Sequence, residues 1–202
     1  MVLLHALGER RSHWEPVIGR FAGRFQVISV DLRGHGDSDW PGEYRFELMR
    51  QDVLDVLDQL DLGAVTLVGH SMGGAVAYLL AMQYPERVAR LIVEDVSPPF
   101  RRDRSIPERP VEPVPFDWPV VPAIVSKVNA GDPAAWEGLA AITAPTLVIG
   151  GGPESHIPQA MLDAVAAHIP RCTLVTIPAG HDVHTARPDE FADTVLSWSN
   201  SN

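Results

Sequence analysis

The chain has 202 residues, a length for which one domain is the starting expectation. Apolar residues make up 46% and charged residues 21%, an ordinary globular composition, and no apolar run approaches the roughly 18–20 residues a bilayer span needs. Sixteen Lys and Arg against 26 Asp and Glu give a formal charge of −10, which argues against a polyphosphate partner and sets nucleic acid aside. Cys172 is the only cysteine, so no internal disulfide and no cysteine-based zinc site is available. Residues 1–4 are apolar but too short for a signal-peptide core. These features lead us to expect a cytoplasmic protein that neither enters a membrane nor binds nucleic acid.

Strands and helices alternate along the chain. Short apolar, β-branched runs occur at residues 2–4, 27–30, 65–68, 91–93, 146–149 and 173–177, and most run straight into Gly or an acidic residue. Such runs suit parallel strands covered on both faces. Between them, residues 50–62 place Val53, Val56, Leu57 and Leu60 at spacings of three and four, the stripe of an amphipathic helix. Residues 71–84 are Ala-rich and apolar on nearly every side, as a buried helix is, and stop at Pro85. Residues 157–169 and 188–198 complete the helices, the last opening on Pro188, a favourable first helical residue.

The stretch from Ser97 to Pro133 differs. It carries Pro98, Pro99, Pro107, Pro110, Pro113, Pro115, Pro119 and Pro122, and proline lacks a ladder donor and breaks helices and central strands. This stretch is read as loops with one short helix. The expected architecture is α/β, a mainly parallel sheet of about six strands flanked by helices. Residues 1–96 and 141–202 form its core, and 97–140 form a short proline-rich lid insertion. Ligands of such sheets sit beyond the carboxyl ends of the strands, so the residues after each strand carry the functional interest.

The strongest local signal is Gly69-His70-Ser71-Met72-Gly73-Gly74, between the strand at 65–68 and the buried helix. It matches Gly-x-Ser-x-Gly in the strand–turn–helix context that a nucleophile elbow requires. Side chains at 69 and 73 would collide with the neighbouring strand and helix. The helix start leaves unpaired N–H groups, so the Met72 amide can face a developing oxyanion. Taken alone, the pentapeptide also suits a Gly/Ser-rich connection without chemistry.

Four segments in order resemble the α/β-hydrolase family over nearly the whole chain: Leu3-Leu4-His5-Ala6-Leu7-Gly8, the run Asp31-Leu32-Arg33-Gly34-His35-Gly36-Asp37-Ser38, the elbow, and Ala179-Gly180-His181-Asp182-Val183-His184 with Arg187-Pro188 and Phe191. The resemblance implies a Ser-His-acid triad. Ser71 is the nucleophile and His181, after the last strand, is the base, with His184 its rival. His70 is expected to point away from the nucleophile. A metal pair of His181 and His184 finds no supporting carboxylate–His framework in the sequence, and no metal or other cofactor is expected.

The acid is either Asp95, after the strand that follows the elbow, or Glu154, after the next. Asp95 is preferred, because the later position usually carries Asp in Gly-x-x-Asp and here reads Gly-Gly-Pro-Glu. Glu94 alternates with Asp95 and is expected to face the other way. The second oxyanion donor is the Leu7 N–H, with Ala6 replacing a common Gly, which requires a negative φ at Ala6. His5 shapes its loop, His35 is structural, and Arg33, Asp37 and Ser38 brace loops by the same resemblance.

By comparison with the family, the chain starts at the third strand, without the usual first two. Residues 27–30 then form an open edge, which points to a truncated sequence, a misassigned start or a homodimer covering the edge. Phe100, Trp118 and Trp136 either contact an acyl chain or fill the lid. The function implied is hydrolysis of a small-molecule carboxylic ester, lactone or thioester through an acyl-enzyme on Ser71, with the acidic surface favouring neutral substrates. C–C hydrolysis, amide cleavage, perhydrolysis and acyl transfer share the fold, and a non-catalytic small-molecule-binding protein is the alternative of a different class. Position 71 is Ser, which disfavours the branches that use an Asp nucleophile.

Overall fold

A computed structural model of the chain describes residues 1–201. Its elements in chain order are β1 (Val2–Leu4), α1 (Glu15–Ala22), β2 (Ile28–Val30), α2 (Phe46–Gln59), β3 (Val65–His70), α3 (Met72–Gln83), β4 (Val88–Glu94), α4 (Val120–Ala130), α5 (Pro133–Gly138), β5 (Thr146–Gly150), α6 (Gln159–His168), β6 (Cys172–Thr176), α7 (Val183–Ala186) and α8 (Pro188–Ser201). The six strands form one sheet in the order β2-β1-β3-β4-β5-β6, and every pairing is parallel. The sequence predicts a mainly parallel sheet of six; the structure has a wholly parallel one.

Alternation along the strands divides the core in two. Leu4, Leu67, Leu91, Val93 and Val148 face one side, where α2, α3, α4 and α6 pack. Leu3, Val68, Ile92, Leu147 and Ile149 face the other, where α1 and α8 pack. Successive strand residues point to opposite faces, so a strand buried on both is largely apolar, as β1, β3, β4 and β5 are. The β2 edge is only partly buried and pairs with β1 alone. Among the described residues no helix is long and apolar enough to cross a membrane.

Two local readings change. Helix α1 has no counterpart in the predicted elements; it is short, begins with Pro16 near its start, and buries only Val17 and Phe21, too few anchors to make a visible period. Segment 97–140 holds two helices, not one. Pro122 falls in the first turn of α4, and Pro133 opens α5, where the Asp132 side chain caps the Ala135 N–H at 3.1 Å. Proline in a first turn removes a donor that has no intrahelical partner anyway, so here it starts helices instead of breaking them.

Candidate functional site

The carboxyl ends of β3, β4, β5 and β6 deliver four loops to one edge of the sheet. Ser71 follows β3 at φ 50° and ψ −113°. Asp95 follows β4 at φ 46°. Among the described residues only one other non-glycine, Asp61, has a positive φ. Such backbone costs of order 1–3 kcal/mol and persists only where the surroundings enforce it. At Ser71 the enforcement is visible. A Cβ on Gly73 would strike the Leu4 carbonyl of β1, and one on Gly69 would strike the Gly73 carbonyl of α3. The collisions expected at 69 and 73 are therefore real, and they come from main chain that cannot give way.

Asp95 is fully buried and both oxygens of its carboxylate are engaged. Oδ1 accepts the Gly151 N–H at 2.8 Å. Oδ2 accepts from the Ser155 hydroxyl and lies 2.7 Å from His181 Nδ1. An Nδ1–H held this way leaves Nε2 free as the basic nitrogen. Glu154, the other candidate acid, is exposed in the loop after β5, and Asp95 occupies the place beside His181. The neighbours of Glu154 matter more than Glu154 itself. Ser155 braces Asp95, and the His156 ring lies 4.0 Å from that of His181. Partial burial and the charges of His181, Arg104 and Arg102 push His156 down to about 4. Neither residue was singled out in the sequence, although both sit in a loop that follows a strand's carboxyl end.

Met72 and Leu7 line the same cleft as Ser71, and among the described residues neither amide N–H is engaged by another group. The loop carrying Leu7 is fixed by two imidazoles. His5 Nδ1 donates to the Ala6 carbonyl at 2.7 Å and its Nε2 accepts the Leu32 N–H at 2.9 Å. His35 Nε2 accepts the Gly8 N–H at 3.1 Å. Ala6 does not adopt positive φ, the condition its replacement of Gly requires. Burial pushes His5 down to about 3, so it stays neutral and able to accept. Below this loop Arg33 grips Asp52 through two hydrogen bonds, Arg11 joins Asp31 to Asp37, and Ser38 donates to the Asp31 carbonyl.

His70 turns beneath the elbow, away from the cleft. It is fully buried, and its Nε2 donates to the main-chain carbonyl of His181 at 2.9 Å. Glu94 likewise faces away from the His181 side chain and binds His184, with 2.7 Å between Oε2 and Nδ1. Burial disfavours both charges, but the attraction of the two outweighs it: His184 is raised and Glu94 lowered. His184 also stacks on Trp14 at 4.1 Å. The structure therefore gives His181 and His184 a carboxylate each. Ring nitrogens of His13, His70 and His184 gather within 4.8 Å of one another, but both nitrogens of His184 are already engaged, by Glu94 and by the His13 carbonyl.

The cleft above Ser71 is small and partly open to solvent, with a cavity volume of about 70 Å³. Leu7, Val96, Phe100, Ile124, Val125 and Val128 supply its apolar wall. Of the three aromatics noted in segment 97–140, Phe100 lines the cleft. Trp118 stacks on Phe116 at 6.1 Å, and Trp136 donates from its indole to the Pro99 carbonyl at 3.2 Å.

Comparison with known proteins agrees with this geometry. Residues 1–104, just over half the chain, match the family model described as alpha/beta hydrolase fold. The chain is 28% identical over 245 residues to the sn-1-specific diacylglycerol lipase ABHD11 of Mus musculus, covering 98% of this chain and 80% of that protein. It is also 28% identical over 240 residues to a putative esterase/lipase of Haemophilus influenzae, covering 100% of this chain and 83% of that one. Among solved structures, Est816, an N-acyl homoserine lactone degrading enzyme, superposes with a TM-score of 0.85 at 27% identity, over 97% of this chain and 91% of that one. With the wholly parallel sheet and the strained Ser71 elbow at its carboxyl edge, these matches establish that the chain belongs to the α/β hydrolase fold family and is a hydrolase.

Proposed function

We propose that this hydrolase cleaves the carboxylic ester, lactone or thioester of a small molecule through an acyl-enzyme on Ser71. The observation that carries the reading is the 2.7 Å contact of His181 Nδ1 with the buried Asp95 at the strand edge that also presents Ser71. Nε2 of His181 takes the Ser71 hydroxyl proton as Oγ bonds to the substrate carbonyl carbon. The carbonyl electron pair moves onto oxygen, where the Met72 and Leu7 N–H groups stabilise it. Loss of one such donor elsewhere costs about 10²–10³ in turnover. Collapse of the intermediate breaks the bond to the leaving group, which takes its proton from His181. Water then loses a proton to His181, attacks the acyl carbon, and releases the acid with the proton returned to Ser71. Asp95 fixes the tautomer and stabilises the imidazolium without accepting its proton.

In this reading residues 1–96 and 141–202 form the hydrolytic core and 97–140 the substrate lid, in a cytoplasmic protein that requires no cofactor. Two copies join through the β2 edge, to be tested by sedimentation.

The test of function is 4-nitrophenyl ester hydrolysis by wild type, Ser71→Ala, Asp95→Asn and Glu154→Gln. Turnover lost in Ser71→Ala and Asp95→Asn but kept in Glu154→Gln supports the reading. A folded wild type inert toward short and medium acyl chains leaves a binding protein on a hydrolase fold, or another α/β-hydrolase chemistry such as C–C, amide or peracid chemistry.

A further inference from the structure

The charge of the cleft opposes that of the chain. The protein carries a formal charge of −10, yet no Asp or Glu lines the space above Ser71, and its only charged lining residues are Arg102 and Arg104. Elsewhere several cations are neutralised in place: Arg11 by Asp31, Arg20 by Asp189, Arg33 by Asp52, Arg45 by Glu43, Arg87 by Asp58 and Lys127 by Asp132. Among the described residues neither Arg102 nor Arg104 has a carboxylate within ion-pair distance. The Arg102 Nε is buried with no hydrogen-bond partner, an expensive state for a guanidinium donor.

The main chain of the pair is held there. Asn129, near the end of α4, clamps the Arg104 main chain from both sides, accepting its N–H at 3.1 Å and donating to its carbonyl at 2.7 Å. The Arg102 N–H donates to the Asn129 carbonyl at 3.2 Å. The Arg102 guanidinium lies over the Phe100 ring, 5.0 Å from its centre. Burial and the like charge of Arg104 both disfavour the Arg102 cation. The Arg104 side chain is exposed beside the half-buried Arg102, the two cations repel each other, and a bound anion converts that repulsion into attraction. His156 links them to the chemistry: it feels both arginines and packs on His181.

We propose, resting on the hydrolase reading of Ser71, that Arg102 and Arg104 form an anion subsite and that the substrate is an ester whose acyl or alcohol arm ends in a carboxylate. The apolar wall of Ile124, Val125 and Val128 takes the aliphatic part of that arm. A carboxylate matches the guanidinium fork with two parallel hydrogen bonds, and arginine stays charged at any working pH. The acidic surface had suggested neutral substrates. The pocket, where the substrate is desolvated, carries the opposite sign and outweighs distant, screened surface charge.

The experiment compares kcat/KM for two pairs: 4-nitrophenyl hydrogen adipate against its methyl ester, read by nitrophenolate release, and 4-acetoxybutanoate against 4-acetoxybutanamide, read by acid release. In parallel, the melting temperature is measured with added adipate or inorganic phosphate. Wild type is expected to prefer the carboxylate in at least one pair by about tenfold or more, less than one full charged hydrogen bond supplies. The double variant Arg102→Gln, Arg104→Gln, checked for a cooperative melt, is expected to bring that ratio to within about twofold. Adipate should raise the melting temperature of wild type and not of the variant.

Equal rates in both pairs with turnover intact overturn the subsite and leave the hydrolase reading standing. Arginine-dependent stabilisation by adipate without turnover sinks the hydrolase reading and keeps the subsite. Stabilisation by phosphate but not adipate overturns the carboxylate assignment.

Discussion

The imidazole of His70 donates from Nε2 to the main-chain carbonyl of His181 across 2.9 Å. The residue before Ser71 thus holds the loop of His181 from below, over a sequence distance no local pattern reveals. His70→Leu removes the donor and leaves a carbonyl unpaired at a buried site, a loss of about 1–3 kcal/mol. His70→Gln can place an amide N–H near the position of Nε2. We expect the Leu variant to lose both stability and ester turnover, and the Gln variant to recover most of each. Urea melts and initial rates on the two variants check this, and equal behaviour of Leu and Gln would remove the hydrogen bond from the account.

Acid should destabilise the fold before its carboxylates are protonated. Burial takes His5 and His70 from 6.5 down to about 3. A histidine depressed in the fold binds its proton more readily when unfolded, so its contribution is complete above 6.5 and is lost progressively down to about 3. At pH 5 each of the two costs about 2 kcal/mol. The expected observation is a falling urea midpoint between pH 7 and 5, with a shallower fall in His70→Gln.

Glu94 and His184 work in the opposite sense over part of that range. His184 is raised, so its share is full below 6.5 and lost as pH climbs through its higher folded value. Glu94 is lowered, so its share is full above 4.5 and lost as pH falls through its lower folded value. The pair therefore contributes most between about pH 4.5 and 6.5. Both side chains are fully buried, and Glu94→Gln leaves a cationic or unpaired imidazole inside, a cost of about 3–5 kcal/mol. Glu94→Gln with His184→Phe removes both charges and keeps a ring against Trp14; its melt should recover a large part of the loss. No recovery would mean that packing, not charge, sets the cost.

The two candidate acids should separate cleanly. Asp95→Asn keeps the shape but presents the wrong tautomer to His181, for which a loss of roughly 10⁴ in kcat is expected. Glu154→Gln, exposed in its loop, should stay within about twofold, as surface changes do. Steady-state rates at saturating ester decide between them.

The sheet was readable because a strand buried on both faces must be largely apolar, and four of the six runs stop abruptly at Gly or an acidic residue. The elbow was readable because Gly69 and Gly73 stand where main chain leaves no room for a Cβ. Spacing alone could not decide between Asp95 and Glu154, since both follow strands. What places Asp95 against His181 is its positive φ and the Gly151 N–H, and both depend on the β4–β5 pairing. The contacts of His70 with His181 and of Glu94 with His184 were invisible for the same reason, being made between chain segments that meet only in the folded sheet. Arg102 and Arg104 lay in a proline-rich stretch with no period to read, and the Asn129 hydrogen bonds that fix their main chain form only in the fold.

The most direct test of Ser71 as an activated nucleophile is labelling by a fluorophosphonate, in which the serine oxygen bonds to phosphorus and fluoride leaves. Intact-mass and peptide mapping of folded wild type, Ser71→Ala and His181→Ala would locate the adduct. The account predicts a single adduct on the peptide containing Ser71 in wild type and none in either variant. A folded wild type that stays unlabelled, or an adduct that forms equally well without His181, would contradict it.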